Sequence, residues 1–211
     1  MRRFLSLLQA PTGAGVFNPW LDRDGTTDLA ADAAGLRLAR LAAHLAVDAR
    51  YVLIGEASGY QGCKVSGIPF TSERLLLEGA IPRIAALPER LTSRVRPWSE
   101  PSATTVWKTL HGLGIAAQTV LWNAYPWHPH RRGVLHSNRT PTRTERLAGV
   151  PVLEALLRQY PRAQVFAVGR NAEASLAELG VPALALRHPS MGGATEFARQ
   201  LARAVRGSSA R

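Results

Sequence analysis

Four side chains able to orient water, move a proton or read a polar edge stand just past four short apolar runs. Glu56 follows Tyr51-Val52-Leu53-Ile54-Gly55, and Asn123 follows the run at 119–122. Arg170 lies beyond the run at 164–168 and Gly169, and His188 soon after the run at 183–186. A carboxylate can orient water and offset positive charge on a carbon that is losing its leaving group. An imidazole can donate a hydrogen bond to the negative charge that the leaving group gathers. A carboxamide holds a donor beside an acceptor, which suits the edge of a base. Taken singly, each has a plain reading. Glu56 in the turn Gly55-Glu56-Ala57-Ser58-Gly59-Tyr60 reads as a solvated loop carboxylate, His188 as a loop residue held extended by Pro189, and Asn123 as an Asx turn. Phe70, Tyr125 and Trp127 could stack on bases or fill core. His128, His130 and His136 lack the carboxylate partner and frame that a metal site needs, so no metal is expected.

The elements that must position these side chains follow from periodicity. The four runs have the continuous apolar pattern of buried parallel strands. Between and around them, residues 28–47, 102–113, 144–160, 172–179 and 195–205 carry helical spacing. Such alternation predicts an α/β fold: a three-layer αβα domain with a central four-stranded parallel sheet and right-handed crossovers. Ligands of such folds bind beyond the carboxyl ends of the strands, so Glu56, Asn123, Arg170 and His188 converge on one edge. Pro11, Gly13, Gly15 and Pro19 suggest a leading arm over 1–25, the domain spans 26–206, and the polar residues 207–211 read as a frayed tail.

A chain of 211 residues, 46% hydrophobic, buries one sizeable core and is too short for two ordinary domains. Its formal charge of +11 attracts polyanions, and nucleic acid is the first partner to consider. The plainer account is arginine usage, since Lys64 and Lys108 are the only lysines. The single cysteine, Cys63, excludes an internal disulfide and any site held by several thiolates. Met1-Arg2-Arg3 before an apolar stretch faintly resembles a secretory leader, but Gln9 and Pro11 interrupt it. A soluble, cytoplasmic monomer without a membrane segment or cofactor is expected.

In their order, these segments resemble the uracil-DNA glycosylase superfamily over roughly 51–190. Gly55-Glu56-Ala57-Ser58-Gly59 is similar to the first motif of its thermophile branch, Gly-Glu-Ala-Pro-Gly, and His188-Pro189-Ser190 to the closing His-Pro-Ser. Gly67-Ile68-Pro69-Phe70 resembles the segment whose phenylalanine stacks on the base, and Asn123 falls at the base-reading asparagine. Asn138-Arg139-Thr140-Pro141-Thr142, through Glu145, is similar to a further signature of that branch, and Gly169-Arg170-Asn171-Ala172 falls on its strand-to-helix turn. There are departures. One cysteine cannot hold the iron–sulfur cluster of the thermophile branch. Ala57 and Gly59 stand where the most familiar branch has a water-positioning aspartate and a tyrosine that blocks the methyl of thymine, and Ser58 replaces a proline.

The resemblance implies an enzyme that hydrolyses the N-glycosidic bond of uracil in single- or double-stranded DNA, flipping the nucleotide into a pocket. It implies Glu56 and His188 as catalytic groups, and Gly55, Ala57, Gly59, Phe70 and Asn123 around the base. Ser58, Arg170, Ser190, Met191 and Gly192 would contact DNA, with Met191 as an apolar wedge made short and mobile by Gly192-Gly193. Two other readings stay open: a relative that binds the lesion with little turnover, and a hydrolase of small nucleosides.

Overall fold

The computed structural model describes residues 2–10 and 12–208. The chain begins with α1 (Arg2–Leu8), β1 (Val16–Phe17), α2 (Ala33–Leu45), β2 (Tyr51–Ala57), α3 (Cys63–Ser66), α4 (Glu73–Leu77) and α5 (Pro101–Gly112). After a 3-10 turn it continues with β3 (Thr119–Tyr125), β4 (His128–Pro129), α6 (Arg143–Leu157), β5 (Gln164–Val168), α7 (Arg170–Glu178), β6 (Leu184–Leu186) and α8 (Ala194–Ser208). β3, β2, β5 and β6 lie side by side in that order as one parallel sheet.

Alternation along each strand builds a core on each face of this sheet. Val52, Ile54, Val120 and Trp122 pack with Leu41 and Leu45 of α2, Val152, Leu153 and Leu156 of α6, and Leu176 of α7. Tyr51, Leu53, Leu121 and Phe166 turn the other way, onto Val106, Trp107 and Leu110 of α5 and Phe197 and Leu201 of α8. Each such side chain fully buried stabilises the fold by roughly 1.5–3 kcal/mol. The result is the three-layer αβα arrangement expected from the four apolar runs.

Helix α2 does a second job. Asp32 caps it by accepting from the Gly35 N–H at 3.0 Å, and its inner face carries His44 to the open edge of β3. There the Leu121 N–H donates to His44 Nε2 at 3.0 Å. Burial, aided by Arg83, holds the His44 pKa down to about 3, so the ring stays neutral and able to accept. Arg83 donates to the carbonyls of His44, Ala117 and Thr119 beside it. These contacts occupy backbone groups that an edge strand otherwise offers to another chain.

The first twenty residues depart from the expected arm. Phe4, Leu8 and Trp20 belong to the main core, and β1 pairs antiparallel with β4. The indole N–H of Trp20 donates to the Gly67 carbonyl at 3.1 Å, and that of Trp127 to the Leu8 carbonyl at 3.0 Å. Gly13 and Gly15 break regular structure as read, but the apolar residues on either side find a distant part of the chain to bury against. At the other end Gly207 and Ser208 continue α8 rather than fraying, while 209–211 lie outside the described residues, as do Met1 and Pro11. Among the described residues no helix is long and apolar enough to cross a membrane.

Candidate active site

Parallel pairing places Gly55 of β2 directly beside Asn123 of β3. Gly55 is required there by close approach: a Cβ would come 2.5 Å from Phe70 Cζ and 2.7 Å from the Asn123 carboxamide. Phe70 is 7% exposed and holds φ at 51°, a left-handed backbone that a bulky residue adopts only under constraint. The constraint comes from both sides. Trp20 grips Gly67, and Ser66 Oγ accepts from the Ile68 N–H at 3.0 Å, while the Trp107 indole donates to Thr71 Oγ1 at 3.0 Å. Gly55→Ala is expected to displace Phe70 and Asn123 and lower turnover on the order of 10²-fold. Single-turnover rates beside a thermal melt separate this from simple unfolding.

With its oxygen and nitrogen assigned to suit the groups they face, the Asn123 carboxamide donates to the Trp122 carbonyl at 3.2 Å and accepts from the Ser58 N–H at 3.3 Å. That leaves one N–H and one lone pair for a ligand. Ser58 itself was expected on DNA, but it is 3% exposed and its hydroxyl donates to the Pro126 carbonyl. Its role is to orient Asn123 and to bind His128, whose Nδ1 lies 2.8 Å from the Ser58 carbonyl. His128 also contacts the Leu135 carbonyl, and His136 pairs with Asp24 at 2.8 Å, so these imidazoles serve loop structure.

His188 sits past β6, with its Cβ 3.1 Å from where a Cβ on Gly169 would stand and its ring 6.3 Å from that of Phe70. The Ser190 backbone N–H donates to His188 Nδ1 at 3.1 Å, and Ser190 Oγ lies 2.7 Å from the same nitrogen. A backbone donor on Nδ1 puts the ring hydrogen on Nε2 in the neutral state. Burial, then the nearby Arg187, lowers the His188 pKa, which favours the neutral ring with an Nε2–H donor.

Glu56 accepts from Asn171 Nδ2 at 2.8 Å, a contact from the first turn of α7 that sequence reading left without a role. Glu56, Ala57, Ser58, Gly59, Phe70, Asn123, His188 and Ser190 all line one pocket of about 520 Å³. The Asn138-Arg139 segment closes another side: Asn138 Oδ1 accepts from the Tyr60 N–H at 3.1 Å, and Arg139 is held by Glu145, itself in a capping box with Thr142. Glu100 and Cys63 line the same pocket and had drawn no attention as site residues. Burial pushes the Cys63 thiol up to about 12, which makes it an inert wall.

Three expected DNA contacts lie outside the pocket lining, as does Gly55, which lies behind Phe70 and Asn123. Arg170 is exposed at the start of α7, and Met191, 91% exposed with φ at 53°, projects from the turn after His188. Gly192 and Gly193 shape that turn. Gly192 has φ at 76°, and a Cβ on Gly193 would overlap the His188 carbonyl oxygen.

A family model described as the Uracil DNA glycosylase superfamily matches residues 43–204. No curated protein matches the sequence. Among solved structures, the crystal structure of wild-type Pedobacter heparinus SMUG2 is similar in fold, with a TM-score of 0.66 at 16% identity over 99% of each chain. A match across most of the chain, with the motifs gathered around one pocket, settles its kinship: the chain belongs to the uracil DNA glycosylase superfamily, a family of DNA-repair glycosylases.

Proposed function

We propose that the protein excises uracil from DNA by hydrolysing the N-glycosidic bond, leaving an abasic site. The observation that carries this reading is the gathering of an aromatic face, a fixed carboxamide, a neutral imidazole and a carboxylate around one pocket. Phe70 stacks on the extruded base, and the free N–H and lone pair of Asn123 meet its polar edge. As the bond to C1′ breaks, charge gathers on a base oxygen, and the Nε2–H of His188 donates to it. Glu56, steadied by Asn171, holds the water and offsets the positive charge of the oxocarbenium-like sugar. The positive surface holds phosphates, Ser190 and Gly192 border the strand, and Met191 enters the gap that the base leaves.

End-labelled DNA bearing one uracil, incubated with the protein and then treated with alkali, tests this. Strand cleavage at the uracil over many turnovers is the expected result. If protein in large excess yields no cleavage, the glycosylase reading fails. Cleavage limited to one equivalent indicates a lesion trap, and activity on free nucleosides without DNA indicates a nucleoside hydrolase. Glu56→Gln keeps the Asn171 contact but removes the charge, and is expected to slow excision about 10²-fold or more.

A further inference from the structure

The pocket holds a second carboxyl group that the mechanism above does not use. Glu100 precedes Pro101 at the start of α5, the position at which a side chain ordinarily caps a helix, yet it makes no capping bond. Its Oε1 instead accepts from Ser102 Oγ at 2.7 Å. Its Oε2 has no hydrogen-bond partner among the described residues and lies against Gly62, where any Cβ would overlap it. The absence of a side chain at Gly62 thus makes room for a carboxyl oxygen without a protein partner on the wall of the pocket.

We propose that Glu100 is a specificity-determining residue that acts as a neutral carboxylic acid, its Oε2–H donating to an exocyclic carbonyl oxygen of the extruded base. This rests on the reading of the pocket as a base site. Ser102 occupies Oε1 as an acceptor, which places the acid hydrogen on Oε2, the oxygen left without a partner. Burial raises the Glu100 pKa, and no cation pairs with it among the described residues. The charged groups around it are already engaged: Arg74 of α4 with Glu78 and Thr104, and Arg139 with Glu145. Cys63 of α3 faces it as a neutral thiol, and across the pocket stand Glu56 and the neutral His188. A DNA strand and an anionic leaving base both add negative charge, which further favours the acid form. An acid hydrogen at this place favours bases with a carbonyl over bases with an amino group, whose hydrogens would face it.

The sign of the pH dependence follows. The acid form is present below the raised pKa and is lost as pH rises through it, so wild-type excision declines on the alkaline side of that value. Glu100→Gln presents an N–H in place of the acid O–H and is expected to retain uracil excision while flattening that decline. Glu100→Ala is expected to lose roughly 10-fold or more, with less discrimination between uracil and cytosine. If Glu100→Gln keeps the wild-type pH profile, or Glu100→Ala excises uracil at the wild-type rate, the proposal is overturned while uracil excision stands. A second measurement is independent of activity: the side-chain carboxyl carbon of Glu100 followed by NMR against pH, with and without free uracil. Uracil is expected to bind better below the Glu100 pKa and to raise it. Binding that ignores the protonation state of Glu100 refutes the proposal, whether or not the protein cleaves DNA.

Discussion

His188→Ala is expected to cut uracil release from DNA by about 10²- to 10³-fold, the usual cost of removing a fixed donor from a developing anion. The size of the effect rests on preorganisation. The Ser190 N–H donates to Nδ1 at 3.1 Å, so Nε2–H is already in place as a donor before the substrate arrives. Because the donor is the backbone of Ser190, Ser190→Ala keeps it and is expected to cost far less than loss of the ring. The pH dependence has a definite sign. His188 acts as the neutral ring, and burial followed by Arg187 holds its pKa below the ordinary histidine value of 6.5. Activity governed by His188 therefore persists at neutral pH and falls only as pH drops through that lowered value. Single-turnover excision across pH measures both points. A Ser190→Ala defect as large as that of His188→Ala would overturn the account of the tautomer, and an acid limb above 6.5 would overturn the neutral-ring account.

The part of this site that lies on strands was legible in the sequence, because a buried parallel strand announces itself as an apolar run and its end is where a ligand is met. Glu56, Asn123 and His188 were found by that rule, and the strand register then brought Asn123 beside Gly55. Phe70 was read from its type as either a base stacker or core and was singled out only by the resemblance, since its place depends on a left-handed backbone held by residues distant in sequence. Ser58 was misread because its hydroxyl is taken by Pro126, a contact between two loops that no local pattern announces. The first twenty residues were misread for a related reason. Proline and glycine report what a backbone cannot do, not whether the apolar residues beside them find a core, and Trp20 finds one against Trp122, stacked at 5.9 Å. Glu100 was hardest to see. An acid before a proline at a helix start reads as a cap, and only the bare backbone of Gly62 shows where its second oxygen goes.

Glu73→Ala is expected to destabilise the fold by about 3–5 kcal/mol. The Glu73 side chain is fully buried, and its two oxygens accept from the N–H groups of Leu91, Thr92 and Trp98, from Thr92 Oγ1 and from Arg90. Removing it leaves several buried donors without partners, each costing roughly 1–3 kcal/mol unless water reaches it. Burial alone would raise the Glu73 pKa, but the Arg90 bond, the Trp98 N–H and the Thr92 contacts outweigh it, and the net shift is downward. The carboxylate therefore adds stability that is fully present above the ordinary glutamate value of 4.5 and is lost as pH falls through the lower folded one. Through Trp98 the loss reaches the pocket, because that residue packs edge-on against Tyr60 at 5.3 Å and lies two residues before Glu100. The expected result is a melting temperature lower by roughly 10 °C, with hydrogen exchange accelerated at Leu91, Thr92 and Trp98 before the central strands open. If the variant melts like wild type and those three amides keep their protection, Glu73 does not organise the wall that carries Glu100.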